Sequence, residues 1–311
     1  MATAIRTPHL SLRLKRWIPP ALFIAPAALA LILTMAAPMA AAIVLSLQYW
    51  NGMAPPRWAG FSNYLNLMQD ETFFRALWHT AYFTICTVIL QTVLPLLIAS
   101  LLNSGIRGST VFRTLYFMPV IISLAISGLL WAMLFEPNFG AINSLLRAIG
   151  LGAFALLWLA GPNTVMPSII IVSVWQSPGF YLVIFVAALQ SVPNELYEAA
   201  ELDGANTWSR FLHVTVPTIR PVILIVIVLN TINGIKVFDQ IWVMTAGGPD
   251  YASATLGTYL YSIAFGAMGA SNSWLGYATT ISVIILLLSI VVSVIQIRLG
   301  RRPDLDSQIE M

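Results

Sequence analysis

The sequence predicts an all-α polytopic membrane protein with six transmembrane helices. Of its 311 residues, 59% are hydrophobic and 9% charged. The mean hydropathy is +0.84, outside the range of soluble domains. The apolar residues fall in runs near the roughly 20 residues that a bilayer-crossing helix needs, and the charges gather between and beyond those runs.

The runs place spans at about 20–48, 77–102, 114–135, 167–190, 219–244 and 276–298. The first contains Pro26 and Pro38, so a tilt or kink is expected there. Arg13, Lys15 and Arg16 precede it as in a secretory signal. However, no charge occurs from Trp17 to Pro56, far beyond the roughly 7–15 residues of a signal core, so an uncleaved first span is expected. Segment 148–166 has a short apolar core, Leu151 to Ala160, broken by Gly161-Pro162. A re-entrant or interfacial piece fits it better than a seventh span. The 1–19 and 299–311 tails are polar and expected to be cytoplasmic, flanking a membrane domain at 20–298.

Basic residues set the orientation. With the N-terminus inside, Arg6, Arg13, Lys15, Arg16, Arg107, Arg113, Arg210, Arg220, Arg298, Arg301 and Arg302 are cytoplasmic. Arg57, Arg75 and Arg147 are then outside, and Lys236 lies within a span. Both termini and the 191–221 loop are therefore expected in the cytoplasm. The pI near 9.1 reflects this placement at span ends rather than a nucleic-acid surface. Cys86 is the only cysteine, so no intrachain disulfide is possible, and it reads as a packing residue.

The 191–221 loop is the patterned polar segment of the chain. Glu195, Glu198, Glu201 and Asp203 fall within nine positions. Pro193 suits a helix start, and Asn194 and Glu195 place acceptors at the positive end of its dipole. Leu196, Ala199, Ala200 and Asp203 share one face. Gly204 can take the left-handed conformation that ends the helix. Asn206 or Thr207 can cap a second helix carrying Trp208, Phe211 and Leu212, and Pro217 and Pro221 punctuate entry to the next span. On physics alone, a coupling element and an ordinary polar loop with amphipathic helices stand equal.

The residues themselves decide between them. Glu198-Ala199-Ala200, Asp203-Gly204-Ala205, Phe211 and Pro217 resemble the EAA loop of carbohydrate-type ABC importer permeases, relatives of the maltose-transporter membrane subunits. Phe61-Ser62-Asn63-Tyr64, Asn138, Gly140, Asn143, Trp175, Gly179-Phe180, Phe238-Asp239, Thr245 and Gly247-Gly248-Pro249 extend the likeness from about residue 20 to 302. Ala246 departs from it, since the family often has Gly there. The resemblance implies the ABC type I importer permease fold in a bacterial inner membrane. It implies transport of a sugar or sugar-like solute. It also implies a second homologous permease, two ATPase subunits that hold ATP and Mg, and an extracytoplasmic solute-binding protein. Glu198, Ala199, Ala200, Asp203, Gly204 and Pro217 would then couple to the ATPase.

Catalytic motifs are missing from the sequence. Lys15 and Lys236 are the only lysines, and neither completes a phosphate-binding G-x-x-x-x-G-K-[ST] loop. His9, His79 and His213 are scattered, and no H-E-x-x-H or G-x-S-x-G occurs. Neither catalysis nor a cofactor or metal on this chain is expected. The fifth span carries Asn230, Asn233, Lys236, Asp239 and Gln240. On a continuous helix Asn230, Asn233, Lys236 and Gln240 occupy an arc of about 120°, as a solute pathway requires. The alternative is that Lys236 and Asp239 pair at the outer interface and the asparagines bond between helices. Gln176 and Tyr181 extend the candidate pathway, followed by Ser123, Ser127 and Trp131. Glu136 begins an outer loop. An ion-coupled secondary transporter is the rival reading, with Asp239 as its one candidate carboxylate.

Overall fold

The computed structural model describes residues 10–103, 108–266 and 274–300, with the backbone alone at 10–19 and 21. Arg6, Arg107, Arg301, Arg302, residues 1–9 of the N-terminal tail and residues 301–311 of the C-terminal tail lie outside them. The chain begins with α1 (Leu10–Leu31), a π-turn (Ile32–Ala36) and α2 (Ala37–Ser46). A short hairpin of β1 (Gln48–Tyr49) and β2 (Arg57–Trp58), then α3 (Ser62–Leu67), lead to α4 (Glu71–Asn103). Next come α5 (Ser109–Ile121), α6 (Leu124–Leu134), α7 (Ala141–Ala148), α8 (Val165–Gln176) and α9 (Pro178–Gln190). The surface helices α10 (Asn194–Leu202), α11 (Thr207–Arg210) and α12 (Val216–Thr218) precede α13 (Arg220–Ile235), α14 (Asp239–Thr245), α15 (Leu256–Phe265) and α16 (Leu275–Gly300).

Among the described residues, three helices are long and apolar enough to cross a bilayer unaided: Leu22–Ser46, Glu71–Asn103 and Leu275–Gly300. Three bent pairs, α5–α6, α8–α9 and residues 207–218 with α13, the last bent by 74°, raise the total to as many as six if each is one span. This corrects the picture of uninterrupted helices at 114–135, 167–190 and 219–244. The α5–α6 pair bends by 95° at Ile122, whose backbone is extended, and Ser123 then caps α6 by accepting the N–H of Ile126 at 3.3 Å. The α8–α9 pair bends by 44° where Pro178 has no N–H to continue the ladder. Helix α13 stops at Lys236, and α14 restarts only after Phe238. The kink expected from Pro38 takes the form of a π-turn. The N–H of Ala37 skips one carbonyl and reaches Ile32, which absorbs the donor that proline lacks. Segment 148–166 forms no further span, only a 3-10 turn at Gly152–Phe154.

Helix α4 is the axis of the bundle, packed on α9 and α13, while α16 packs on α2, α13 and α15. One core layer centres on Leu182, Phe185, Ala99 and Val226. A second centres on Phe83, Ile169, Val172 and Ile241, and a third on Leu67, Phe73, Leu256 and Ile281. Two glycines let helices touch. A Cβ on Gly179 would lie 2.5 Å from the Tyr116 carbonyl of α5, and one on Gly234 2.8 Å from the Thr84 hydroxyl of α4.

The loop ends are tied by amides and one carboxylate. Asn63 is buried and donates to the carbonyls of Ser46 and Gln48, at 2.9 and 3.0 Å, clamping the end of the first span. Asn143 donates to the carbonyls of Pro137 and Leu156 and accepts from the Trp158 indole at 2.7 Å. Asp70 caps α4 by accepting the N–H groups of Thr72 and Phe73. Its second oxygen accepts the hydroxyls of Tyr259 and Tyr277, so one side chain joins α4, α15 and α16.

Candidate functional site

The first candidate site is the surface loop built from α10 to α12. Helix α10 starts at Pro193, which is the N-cap rather than the first turn. It ends as a Schellman motif: Ala205 N–H reaches the Ala200 carbonyl at 2.9 Å and Gly204 N–H the Glu201 carbonyl at 3.0 Å. That closure needs a left-handed residue, and Gly204 supplies it with φ +78. Asn206, not Thr207, caps α11 by accepting the Ser209 N–H at 2.8 Å. The N–H of Val216 reaches past a π-turn to Phe211, just before Pro217.

The inner face of the loop is held by Tyr197, whose hydroxyl bonds Thr215 at 3.0 Å and whose ring packs on the core. Arg210 pairs with Glu201 at 2.9 Å, so Glu201 rather than Glu198 closes the charged contact within the loop. Glu198, Ala199, Asp203, Gly204 and Pro217 are exposed and Ala200 half-buried. Beside them stand Leu202, 90% exposed, and Trp208, 60% exposed. Large exposed apolar side chains on these two capped helices, Leu202 of α10 and Trp208 of α11, suit a surface that a partner covers.

The second candidate site is a cavity of about 320 Å³ lined by α4, α6, α8, α9, α13 and α14 and open at Asn233, Lys236 and Asp239. Tyr181, Asn230, Asn233, Lys236 and Gln240 all line it. Gln176 lines an adjoining cavity of about 350 Å³ that shares Leu124, Ser177, Tyr181 and Asn233 with the first. The structure therefore gathers all six residues, though not as the sequence reading arranged them. The single helical arc does not exist, because Gln240 sits on α14 beyond the break at Lys236–Phe238. Gln240 is brought back because α14 packs against α6 and α8.

The lining is mostly uncharged and polar. Asn233 donates to the Tyr181 hydroxyl at 3.5 Å. Asn230 is 2% exposed, and its amide nitrogen has no partner. Lys236 and Asp239 are both exposed at the cavity. They do not pair with each other: the ion pairs among the described residues are Arg75–Glu71 and Arg210–Glu201. Sequence reading missed Thr87, Gln91 and Ser173, which line the same cavity; a lone Gln91 in an apolar run was the available signal. Of the lesser candidates, Ser123 lines the second cavity, Trp131 packs on Trp175 and Phe135, and Ser127 is buried with no hydroxyl partner. Glu136 is half-buried and held by backbone donors. It accepts the backbone N–H groups of Phe139 and Asn138, and these hold its carboxyl below the usual range.

No cluster of three or more metal-ligating side chains occurs among the described residues. Comparison with known proteins gives three kinds of match. Residues 91–304 match the family described as binding-protein-dependent transport system inner membrane component. The probable ABC transporter permease protein YurN of Bacillus subtilis (strain 168) is 34% identical over 282 residues, covering 90% of this chain and 94% of the relative. The lactose transport system permease protein LacF of Rhizobium radiobacter is 34% identical over 283 residues, covering 90% and 93%. Among solved structures, a chain of a bacterial ABC transporter involved in import of the acidic polysaccharide alginate superposes with TM-score 0.80. It is 25% identical, with 95% of this chain and 99% of that chain covered.

Proposed function

The chain belongs to the family of binding-protein-dependent transport system inner membrane components, and from that membership we propose that it forms half of the pathway of an ATP-driven importer for a sugar or sugar-like solute. The cavity carries the reading of the cargo. Its amides, hydroxyls and the Tyr181 ring suit a polyhydroxylated solute, which needs paired donors and acceptors along an apolar wall. Lys236 and Asp239 add one charge of each sign at the same cavity, which suits a neutral cargo. The relative whose name specifies lactose supports the same class.

The α10–α12 surface carries the reading of energy coupling. Its capped helix presents Glu198, Ala199, Gly204 and Leu202 outward and is anchored inward by Tyr197. Docked in a groove of a cytoplasmic ATPase, it would pass movement of that subunit to α9 and α13, which flank the cavity. Two such permeases, two ATPases and an external binding protein complete the assembly, with ATP and Mg on the ATPases. Basic-residue placement puts this loop and both termini in the cytoplasm. The rival ion-coupled reading finds no support in Asp239, which is exposed rather than enclosed as an ion site.

Co-purification tests this. The chain expressed with its partner subunits brings down ATPase activity stimulated by the binding protein. A pure, transport-competent preparation without an ATPase subunit refutes the assignment. Orientation is tested separately with Asn206→Cys in a Cys86→Ala background, which an impermeant thiol reagent leaves unlabelled from outside.

A further inference from the structure

Three buried glutamines meet around α8. Gln91 of α4 is 4% exposed, Gln176 of α8 3% and Gln240 of α14 2%. A buried amide is unfavourable unless its hydrogen bonds are made, so the partner of each is informative. Gln176 Nε2 donates to the Ile122 carbonyl at 2.8 Å. Ile122 is the extended residue between α5 and α6, so its carbonyl belongs to neither helical ladder. Gln91 Nε2 donates to the carbonyl and to the hydroxyl of Ser173, both at 3.0 Å. The same carbonyl accepts the Ser177 N–H at 3.1 Å, immediately before Pro178 interrupts the ladder. Gln240 Nε2 stands 3.5 Å from the Ile169 carbonyl, outside the usual range for a strong bond.

We propose that Gln91 and Gln176 form an amide clasp that fastens the helix breaks to α8 and holds α4 and α8 together beside the cavity until a hydroxyl-bearing solute replaces its bonds. Gln91 and Ser173 line the same cavity and are bonded to each other, so α4 and α8 cannot separate there without parting them. Parting them with nothing in exchange leaves a buried amide and a buried serine unpaired. A sugar hydroxyl donates and accepts at once, so it can take the place of either partner. Solute entry then exchanges bonds of equal kind, whereas spontaneous opening loses them. Gln91 and Gln176 are positioning residues in this scheme. The identity of the displacing solute rests on the transport reading above, but the clasp itself does not.

The test uses the assembled transporter, nucleotide-free, carrying Thr87→Cys in a Cys86→Ala background. Thr87 lines the cavity and is 3% exposed, so its labelling by N-ethylmaleimide reports opening. Gln91→Met and Gln176→Met keep side-chain volume and remove the donors. Each is expected to raise the labelling rate roughly fivefold, the factor for losing one net hydrogen bond. Gln240→Met, which removes only the long contact, is expected to change it less than about twofold. Unchanged labelling in the first two variants overturns the clasp, as does an equal rise in all three, which is general loosening. Should a Met variant fail to assemble, the Leu variant at that position removes the same donor. A normal labelling pattern in a complex whose ATP hydrolysis ignores the binding protein leaves the clasp standing and refutes the transport reading instead.

Discussion

Gly204 separates the cost of shaping the surface loop from the cost of docking it. The residue sits at φ +78, and a Cβ added there meets nothing within 4 Å. Gly204→Ala therefore has no steric term inside this chain. Its cost is the left-handed backbone alone, about 1–2 kcal/mol, or roughly a 5- to 30-fold shift in population of the Schellman closure. Gly204→Asn costs less, because Asn is the residue after Gly most often found at this position. If the loop only had to keep its shape, Asn would preserve function. If α10 inserts into a groove, the Asn side chain occupies the space the ATPase needs. Overpacking of that kind costs about 1–3 kcal/mol, or roughly 5- to 150-fold in coupling. Both variants are thus expected to uncouple, with Ala199→Trp as a second blocking change at an exposed site. The assay is binding-protein-stimulated ATP hydrolysis and solute uptake in proteoliposomes, with co-purified subunits confirming assembly. Wild-type uptake by Gly204→Asn refutes the reasoning.

The remaining predictions concern the rest of the molecule. Asp70→Ala removes a helix cap and the shared acceptor of Tyr259 and Tyr277, for about 3 kcal/mol; thermal unfolding in detergent should show a lowered midpoint, and an unchanged one contradicts the assigned role. Leu at both 230 and 233 should cut uptake by about tenfold or more without loss of assembly, since Asn230 Nδ2 has no partner to lose and Asn233 gives up only its 3.5 Å contact with the Tyr181 hydroxyl; full uptake excludes both from the path. The Glu136 carboxyl lies below its usual value, so its contribution to loop order is complete above about pH 4 and is lost as pH falls through the lowered value. The protection factor of the Phe139 amide, its exchange relative to the intrinsic rate at the same pH, should fall on acidification, and Glu136→Gln should remove that pH dependence of protection.

Much of this was legible in the chain because the deciding residues have few alternatives. Gly204 was readable because a helix end at that spacing demands a positive φ, and Asn206 because its side chain suits a cap. The helix breaks were harder. Pro178 and the pair Pro119 and Ser123 do mark two of them, but a run rich in Ile and Leu reads as one span whether or not it bends. Nothing comparable marks Lys236 to Phe238, so the polar residues of the fifth span were set on one arc when tertiary packing places them on two helices. Helix α15 was missed although Thr255 and Thr258 form its capping box. Ala246 takes a left-handed conformation, φ 49, at the position where sequence comparison had flagged the missing glycine. Asp70 and Gln91 carry a local signal, a helix cap and a lone amide in an apolar run, but their distant partners, Tyr259 and Tyr277 for one and Ser173 for the other, are named by no local pattern.

The central claim is that the α10 surface docks on a cytoplasmic ATPase. A photo-crosslinking amino acid replacing Leu202, which is 90% exposed, measures this in whole cells. The account predicts a light-dependent, covalent product between this chain and an ATPase subunit, reduced by Ala199→Trp. A product with the external binding protein, or none with the ATPase in a complex that still transports, would contradict it.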